Sequence, residues 1–228
     1  MNPASTAIVV FAQSGRKDAL TKGIPGGEKL LDTLTSQTIH KVKRTGFSWF
    51  HMGEKEQRGA SFGERLSNAI QDVFIKGFEN IIVIGNDSPG LTARTLRQAG
   101  NTLVSEKAIL GPASDGGVYL IGLNRSIFTD ACFESLPWKN SRLYLHLLER
   151  FQDKLGHAPA VLEHQIDLDS LGDIRTWACQ LALSGDKVLQ LIRGILKEPM
   201  PWFKQAAGHH QSFYPVTRFN KGSPFPSI

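Results

Sequence analysis

Asp87 lies three residues beyond a run of four apolar residues at 81–84, in the segment Gly-Asn-Asp-Ser-Pro-Gly. The apolar run is typical of a fully buried strand, and the segment after it is typical of a turn before a helix. Ligands of open parallel sheets bind just beyond the carboxyl ends of the strands, so this carboxylate is placed where catalysis or ligand binding is expected. Capping of the turn is the competing interpretation, because Asp often accepts hydrogen bonds from nearby backbone N–H groups.

Three more carboxylates lie at or near the ends of predicted strands. Asp115 lies in a glycine-containing loop, and Asp167 and Asp169 end a later strand. If these strands share one edge of a sheet with Asp87, the carboxylates converge and attract a hard divalent cation, Mg²⁺ or Mn²⁺. Mg²⁺ keeps coordination positions for substrate phosphates, so the pattern favours a nucleotide ligand. A helix cap is the alternative interpretation for Asp167 and Asp169.

Basic residues follow the first predicted strand, in a polar segment at 13–27 that we predict to be a loop. Arg16, Lys17 and Lys22 lie in it. Cationic side chains at this place are suited to line the path of a phosphate group. The segment therefore supplies candidate phosphate-binding residues beside the predicted carboxylate edge.

Two further segments offer features suited to a nucleotide. Gln57 has an amide that can read a base, Arg65 can bind phosphate or carboxylate, and the backbone N–H groups between them precede a helix. Gly116 and Gly117 let the backbone approach a ligand closely, or supply the positive φ of a turn. An ordinary exposed helix start is the alternative interpretation for Gln57 and Arg65. The sequence contains no Walker A, dinucleotide-binding or serine-hydrolase motif.

The elements that must position these residues alternate between strand and helix. Strands are predicted at 8–12, 47–52, 80–85, 108–110, 118–123 and 160–168, and helices at 28–43, 62–76, 92–99, 141–155, 171–183 and 186–196. Alternation of this kind favours a parallel or mostly parallel sheet covered by helices. We predict one domain over residues 1–183, followed at 184–228 by a helix and a basic extended arm that packs on the same domain or is partly mobile.

Composition is that of an ordinary globular chain of 228 residues, with 41% hydrophobic and 21% charged residues. The net charge is +5, and from Gly185 onward six basic and two acidic residues carry most of it. Such an arm can meet nucleic acid, but a solvated arm is commoner, and no nucleic-acid-binding motif accompanies it. The two cysteines have no metal-ligand spacing and fit a reducing cytoplasm. No apolar run is long enough to predict a membrane span, and the first residues lack the basic region of a signal peptide.

Several segments resemble the bacterial rSAM/selenodomain-associated transferase family, whose members are glycosyltransferase-like. The resemblance is carried by residues 59–65, 84–92 and 110–123, and later by Pro137-Trp138 and by Asp167-Leu168-Asp169 with Asp173. It extends from about Gln57 to Ile174. This family implies the nucleotide-diphospho-sugar transferase, or glycosyltransferase-A, fold: a three-layer α/β/α sandwich with a mixed, mostly parallel sheet.

The resemblance also implies roles for individual residues. Asp87 is similar to the metal-binding acid after the third strand, Asp115 to an acid beside the nucleotide phosphates, and Asp169 to a second metal ligand. Together with the residue pattern, this predicts Asp87 and Asp115 as catalytic and Asp87, Asp167 and Asp169 as ligands of Mg²⁺ or Mn²⁺. The predicted nucleotide-binding residues are Ala12, Arg16, Lys17, Gln57, Gly59, Arg65, Asn86, Gly116 and Gly117. The family's Lys-Thr-Arg-Leu run after the first strand is replaced here by another sequence, in which Arg16 or Lys17 is the candidate substitute.

These observations lead to three functional hypotheses. The first is a metal-dependent, glycosyltransferase-like enzyme that uses a nucleotide or nucleotide-sugar donor, with an unknown acceptor. The second is a guanylyltransferase-like nucleotidyltransferase that acts on a small phosphorylated acceptor, since the same acids serve either reaction. The third is a non-catalytic nucleotide-binding or scaffold protein of the same fold. A cytoplasmic location is expected, nucleic-acid binding is not, and a homodimer is compatible with the sequence.

Overall fold

The core of the protein is a six-stranded sheet in the order β2-β1-β3-β5-β4-β6. A computed structural model describes residues 5–129, 131–138, 140–181 and 187–196. The strands are β1 Thr6–Phe11, β2 Ser48–Met52, β3 Asn80–Ile84, β4 Ala108–Pro112, β5 Val118–Asn124 and β6 Ala160–Val161. Only β5 is antiparallel to its neighbours, and the remaining pairs are parallel. The predicted mixed, mostly parallel sheet is therefore confirmed.

The central strands are buried on both faces, which explains their continuous apolar sequences. Ile81 and Val83 belong to the core on one face, whereas Ile82 and Ile84 belong to the core on the other. Because side chains alternate along a strand, each strand needs apolar residues at every position when helices cover both faces.

Helices cover both faces and complete the predicted α/β/α sandwich. They are α1 Gly15–Thr21, α2 Glu28–Lys43, α3 Phe62–Ile75, α4 Ala93–Glu106, α5 Ala131–Glu134, α6 Leu143–Leu155, α7 Leu171–Leu181 and α8 Lys187–Leu196, with a 3-10 helix at Arg125–Ile127. Side chains of α3 and α6 pack in one core, and side chains of α2 and α4 pack in the other. α8 packs against α2 and α7. None of the described helices combines the length and the apolar character needed to cross a membrane.

Clustering of contacts along the chain separates a compact unit, Met1–Lys197, from the residues that follow it. This unit contains all the described elements. The predicted basic arm beyond α8 lies outside the described residues.

Three predicted elements differ from the observed ones. The segment at 13–27, predicted as a loop, contains α1, which is anchored because the Gly15 N–H donates to the Asp32 carboxylate of α2 at 2.7 Å. The helix predicted at 92–99 extends to Glu106 as α4. Gly100 suits the interior of this helix because it packs closely against the ring of Phe47. The last strand is shortened to β6 and one isolated bridge at Gln165. Each difference reflects a contact between segments distant in sequence.

Ser61→Ala is expected to lower the free energy of unfolding by about 1 kcal/mol. Ser61 caps α3: its hydroxyl accepts a hydrogen bond from the Glu64 N–H at 3.1 Å, and the Glu64 carboxylate accepts one from the Ser61 N–H. Urea unfolding followed by circular dichroism measures the loss. The control is Ser105→Ala on the exposed side of α4, which is expected to change stability by about 0.5 kcal/mol or less. Equal losses in the two variants would contradict the capping role.

Candidate functional site

The carboxyl end of the sheet collects acidic residues from three separate segments. Asp87 follows β3, Asp115 lies in the turn between β4 and β5, and Asp167 and Asp169 follow β6. The backbone ties these segments together, because the Leu168 N–H donates to the Asp87 carbonyl at 3.0 Å. The structure therefore brings these predicted acids to one edge.

Lys22 is the cation at the centre of this edge. Its Nζ lies 2.8 Å from Asp87 Oδ2 and 2.7 Å from Asp169 Oδ1, and it donates to the Leu168 carbonyl at 3.1 Å. Only 13% of its side chain is exposed, so solvent weakens these ion pairs little. Burial lowers the pKa of Lys22, but the two carboxylates outweigh burial and raise the pKa above its ordinary value. The ammonium therefore stays charged at neutral pH.

Negative charge nevertheless exceeds positive charge in the cluster. Burial, and after it the charge of Asp87, raise the pKa of Asp167 to about 8, although the hydrogen bond that the Ser88 hydroxyl donates to the carboxylate opposes this increase. Burial also raises the pKa of Asp169, against the opposing effect of Lys22. The charge of Asp115 contributes to both increases. Lys22 thus compensates only part of the negative charge of these acids, an arrangement that favours the binding of further positive charge.

No preformed metal cage exists here: in the described part of the chain, no three His, Cys, Asp or Glu residues are grouped to hold a metal ion. Asp87 and Asp169 bind Lys22, and Asp167 is hydrogen-bonded to Ser88. The donor set still suits Mg²⁺, because this ion takes one or two protein carboxylates and completes its shell with water and phosphate. Asp87 and Asp169 fit that description once the Lys22 side chain moves aside.

Asn86 fixes the loop that presents Asp87. It is buried, and its Nδ2 donates to Asp18 Oδ2 of α1 and to Thr35 Oγ1 of α2, both at 2.9 Å. Burial raises the pKa of Asp18, an effect that the hydrogen bond from Asn86 opposes. The Asn86 amide N–H groups, predicted to contact a nucleotide, are thus engaged with protein in this structure.

Of the three candidate phosphate-binding bases at 13–27, the structure brings to the acids Lys22, which was not among the predicted nucleotide-binding residues. Arg16 and Lys17, the predicted phosphate-binding residues, are exposed on α1, whereas Lys22 reaches the acids. The only signal in the sequence is that Lys22 lies in the same basic segment. The direction of the Lys22 side chain depends on α1, a helix that the sequence did not predict.

The ends of β1 and β2 form the other flank of the edge. Gln57 is buried, its Nε2 donates to the Met52 carbonyl at 2.9 Å, and its Oε1 accepts from Gln13 Nε2 at 3.3 Å. The Ala12 N–H also donates to the Met52 carbonyl, at 3.3 Å. These contacts hold Ala12 and Gln57, both predicted to bind nucleotide, in one hydrogen-bonded group.

Arg65, at the start of α3, completes this flank. Its Nε is buried and has no hydrogen-bond partner among the described residues, and its Nη1 makes one long bond of 3.4 Å to the Ala60 carbonyl. Gly59 has a φ of +136°, and a side chain at this position would crowd Glu64. The guanidinium therefore retains hydrogen-bonding capacity for a ligand.

The loop of Asp115 depends on its two glycines. Gly116 has a φ of +90°, and a Cβ there would collide with the Ser141 carbonyl. The Gly117 N–H donates to Asp115 Oδ1 at 2.9 Å and holds the carboxylate in the turn. The turn itself therefore requires both glycines, and the close approach of a ligand to their backbone stays a prediction.

Comparisons with known proteins bear on the fold. Residues 36–140 match the model of a family described as an uncharacterized protein conserved in bacteria, DUF2064. This range omits β1, Lys22, Asp167 and Asp169. No curated protein matches the sequence.

Solved structures share the fold. A protein from Desulfovibrio desulfuricans G20, provisionally named a nucleotide-diphospho-sugar transferase, is similar with a TM-score of 0.73 and 19% identity over 85% of this chain and 97% of that chain. Rv0371c from Mycobacterium tuberculosis H37Rv is similar with a TM-score of 0.51 and 16% identity over 77% of this chain and 98% of that chain. At these identities the likeness establishes the fold alone. The chain has a nucleotide-diphospho-sugar transferase-like fold, as the sequence predicted.

Asp167→Asn is expected to flatten the pH dependence of stability. The pKa of Asp167 is about 8 in the folded protein and about 4 in the unfolded chain, so between these values the folded state binds more protons. The free energy of unfolding therefore falls as pH rises from about 4 to about 8, by at most about 5 kcal/mol for this residue. Asn keeps the hydrogen bond from Ser88 without titrating.

Urea unfolding at several pH values, with EDTA present to remove divalent cations, measures this effect. Asp153→Asn, at an exposed position on α6, is the control and should keep the wild-type slope. A slope in Asp167→Asn equal to that of the wild type would contradict the assignment.

Proposed function

We propose that the protein is a metal-dependent transferase that uses a nucleotide-activated donor, with glycosyl transfer from a nucleotide sugar as its reaction. The observation that carries this proposal is the meeting of Asp87, Asp169 and Lys22 at the carboxyl edge of the sheet. Ligands bind at this edge in open α/β sheets. The motif resemblance favours the rSAM/selenodomain-associated transferases as the family, and residues 1–183 would form the catalytic domain.

Asp87 and Asp169 would hold Mg²⁺ or Mn²⁺. The ion would supply charge neutralisation at the diphosphate, which makes the nucleoside diphosphate a better leaving group. The excess of carboxylates supports this proposal, since the raised pKa values of Asp167 and Asp169 reflect their burial first and then the charge of the neighbouring carboxylates. Asp167, two residues from Asp169, would add a carboxylate to the same site.

Lys22 would bind the diphosphate oxygens of the donor. Its raised pKa keeps it charged, and a lysine side chain is long and flexible enough to turn from the carboxylates to a phosphate at the same edge. In this arrangement the ammonium would pair either with the carboxylates or with the phosphates of the donor. Charge-assisted hydrogen bonds of this kind stabilise the negative charge that develops on a leaving diphosphate.

The nucleoside would bind toward the ends of β1 and β2. Ala12, Gln57, Gly59 and Arg65 would line this part, where Arg65 retains an unpaired Nε. Asp115 would lie beside the phosphates, with the backbone of Gly116 and Gly117 close to the ligand. Asn86 would contribute from the loop after β3, and Arg16 and Lys17 from α1.

Nucleotidyl transfer is the alternative that the same acids permit, and product analysis separates the two reactions. Glycosyl transfer from a nucleotide sugar releases a nucleoside diphosphate, whereas nucleotidyl transfer from a nucleoside triphosphate releases pyrophosphate. Phosphorus NMR of reactions with candidate donors and Mn²⁺ distinguishes these products. Nucleotide binding without either product would favour a non-catalytic protein.

Asp87→Asn and Asp169→Asn are each expected to weaken metal-dependent nucleotide binding by at least about tenfold, because each removes a charged ligand of the cation. Calorimetry with nucleoside diphosphates, with and without Mn²⁺, measures the change. Asp153→Asn is the control for removal of one negative charge. Unchanged Mn²⁺-dependent binding in both site variants would refute the metal role of these two residues.

Lys22→Met is expected to shift affinities in opposite directions. Affinity for Mn²⁺ alone should rise about tenfold, because no ammonium competes for Asp87 and Asp169, whereas affinity for a nucleoside diphosphate with Mn²⁺ should fall about tenfold. Electron paramagnetic resonance of free Mn²⁺ measures the first quantity, and calorimetry measures the second. Lys29→Met, at an exposed position on α2, is the control. A fall in both affinities would indicate that Lys22 only holds the fold of the edge.

A further inference from the structure

A second concave surface lies between α2 and α7, beside the loop that follows β3. We call it the basic groove. It is lined by polar residues of α2 from Thr33 onward and by Arg44 directly after this helix, by Pro89 and Gly90, and by Trp177 of α7. Its volume is about 580 Å³, within the range of small-molecule sites.

The ionisable side chains that line the basic groove are all basic. They are His40, Lys41 and Arg44, and no carboxylate of the described residues lines the groove. Lys41 is the central one: its Nζ donates to the Pro89 carbonyl at 2.9 Å and has no ion pair among the described residues. Burial lowers the pKa of Lys41 because the charge is partly withdrawn from water without an anion to compensate it. An anion placed beside this ammonium would remove that penalty.

Other donors of the groove are also uncommitted. Across the described residues, no hydrogen bond engages the side chains of Gln37, Arg44 or Trp177. The Trp177 indole adds a half-buried planar surface next to these donors. Cations, free N–H groups and an aromatic face together suit a ligand that carries both negative charge and a planar ring.

Another cavity of the protein serves as a comparison, because acidic side chains accompany the basic ones in its lining. It is lined in part by residues of α6, where Glu149 and Asp153 accompany the basic side chains. There Arg150 donates to Ser135 at 2.9 Å and Lys154 donates to Thr129 at 3.0 Å. Among the described residues, the lining of the basic groove has no such acidic side chains, and its side-chain acceptors are limited to the neutral Thr33, Ser36, Gln37 and His40.

We propose that the basic groove is a binding site for a small phosphorylated molecule with a planar ring, separate from the acidic edge. Lys41 and Arg44 would bind the phosphate, and Trp177 would contact the ring. Pro89 and Gly90 belong to the same loop as Asp87, so the ligand would lie against the side of that loop remote from Lys22. The proposal does not depend on the transferase reaction.

Calorimetry with phenyl phosphate and with inorganic phosphate tests this proposal. Phenyl phosphate should bind about tenfold more tightly than inorganic phosphate, and Lys41→Met or Arg44→Met should weaken its binding by about tenfold each, the loss expected for a charged hydrogen bond. Trp177→Leu should abolish the preference for phenyl phosphate. Lys43→Met is the matched control, because Lys43 is an exposed cation of the same helix that lies over Trp49.

Two further measurements keep the outcome decisive. Thermal unfolding checks that the variants are folded, and Lys41→Met should be at least as stable as the wild type because it removes an uncompensated buried charge. Asp87→Asn should leave phenyl phosphate binding unchanged. Loss of binding in Asp87→Asn would place the ligand at the acidic edge, and equal losses in Lys43→Met and Lys41→Met would reduce the effect to overall charge. Either result, or no binding by the wild type, would overturn the proposal.

Discussion

The ion pairs of Lys22 with Asp87 and Asp169 are the interaction on which the carboxyl edge of the sheet depends. They join three segments that are far apart in sequence: the loop after α1, the loop after β3 and the segment after β6. Without an ammonium between them, the carboxylates would repel one another in a partly buried site. The same requirement for positive charge makes the edge suited to a divalent cation, and through that cation to a phosphate-bearing ligand, so the ion pairs of Lys22 and the proposed chemistry have one electrostatic origin.

The loop after β3 carries this interaction to the rest of the molecule. Asn86 donates to α1 and α2, Asp87 binds Lys22, Ser88 donates to Asp167, and the Pro89 carbonyl accepts from Lys41. Four successive residues are thus held by different elements. A rigid loop of this kind positions a carboxylate more accurately than an exposed loop can. It also separates the acidic edge from the basic groove, which gives the two sides of one short segment opposite electrostatic character.

Sheet topology explains how Asp115 joins the edge. β4 is parallel to β3 in direction, and β5 runs back between them, so the turn from β4 to β5 falls at the same end as the loop after β3. The single antiparallel strand therefore adds a turn to an edge that otherwise collects the ends of parallel strands. The glycines of this turn allow it to pack against the Ser141 backbone, which fixes the position of the carboxylate.

The sequence by itself determined the α/β fold, most helices and strands, and the strand end at which Asp87 lies. Apolar periodicity reports which faces of an element are buried, and a buried strand followed by turn residues marks a carboxyl end. Only the tertiary structure decided that Lys22, rather than Arg16 or Lys17, reaches the acids. It alone also placed Lys41 and Trp177 on one groove. These outcomes depend on the direction of α1 and on the packing of α7 near α2, and contacts between distant segments leave no periodic trace in the chain.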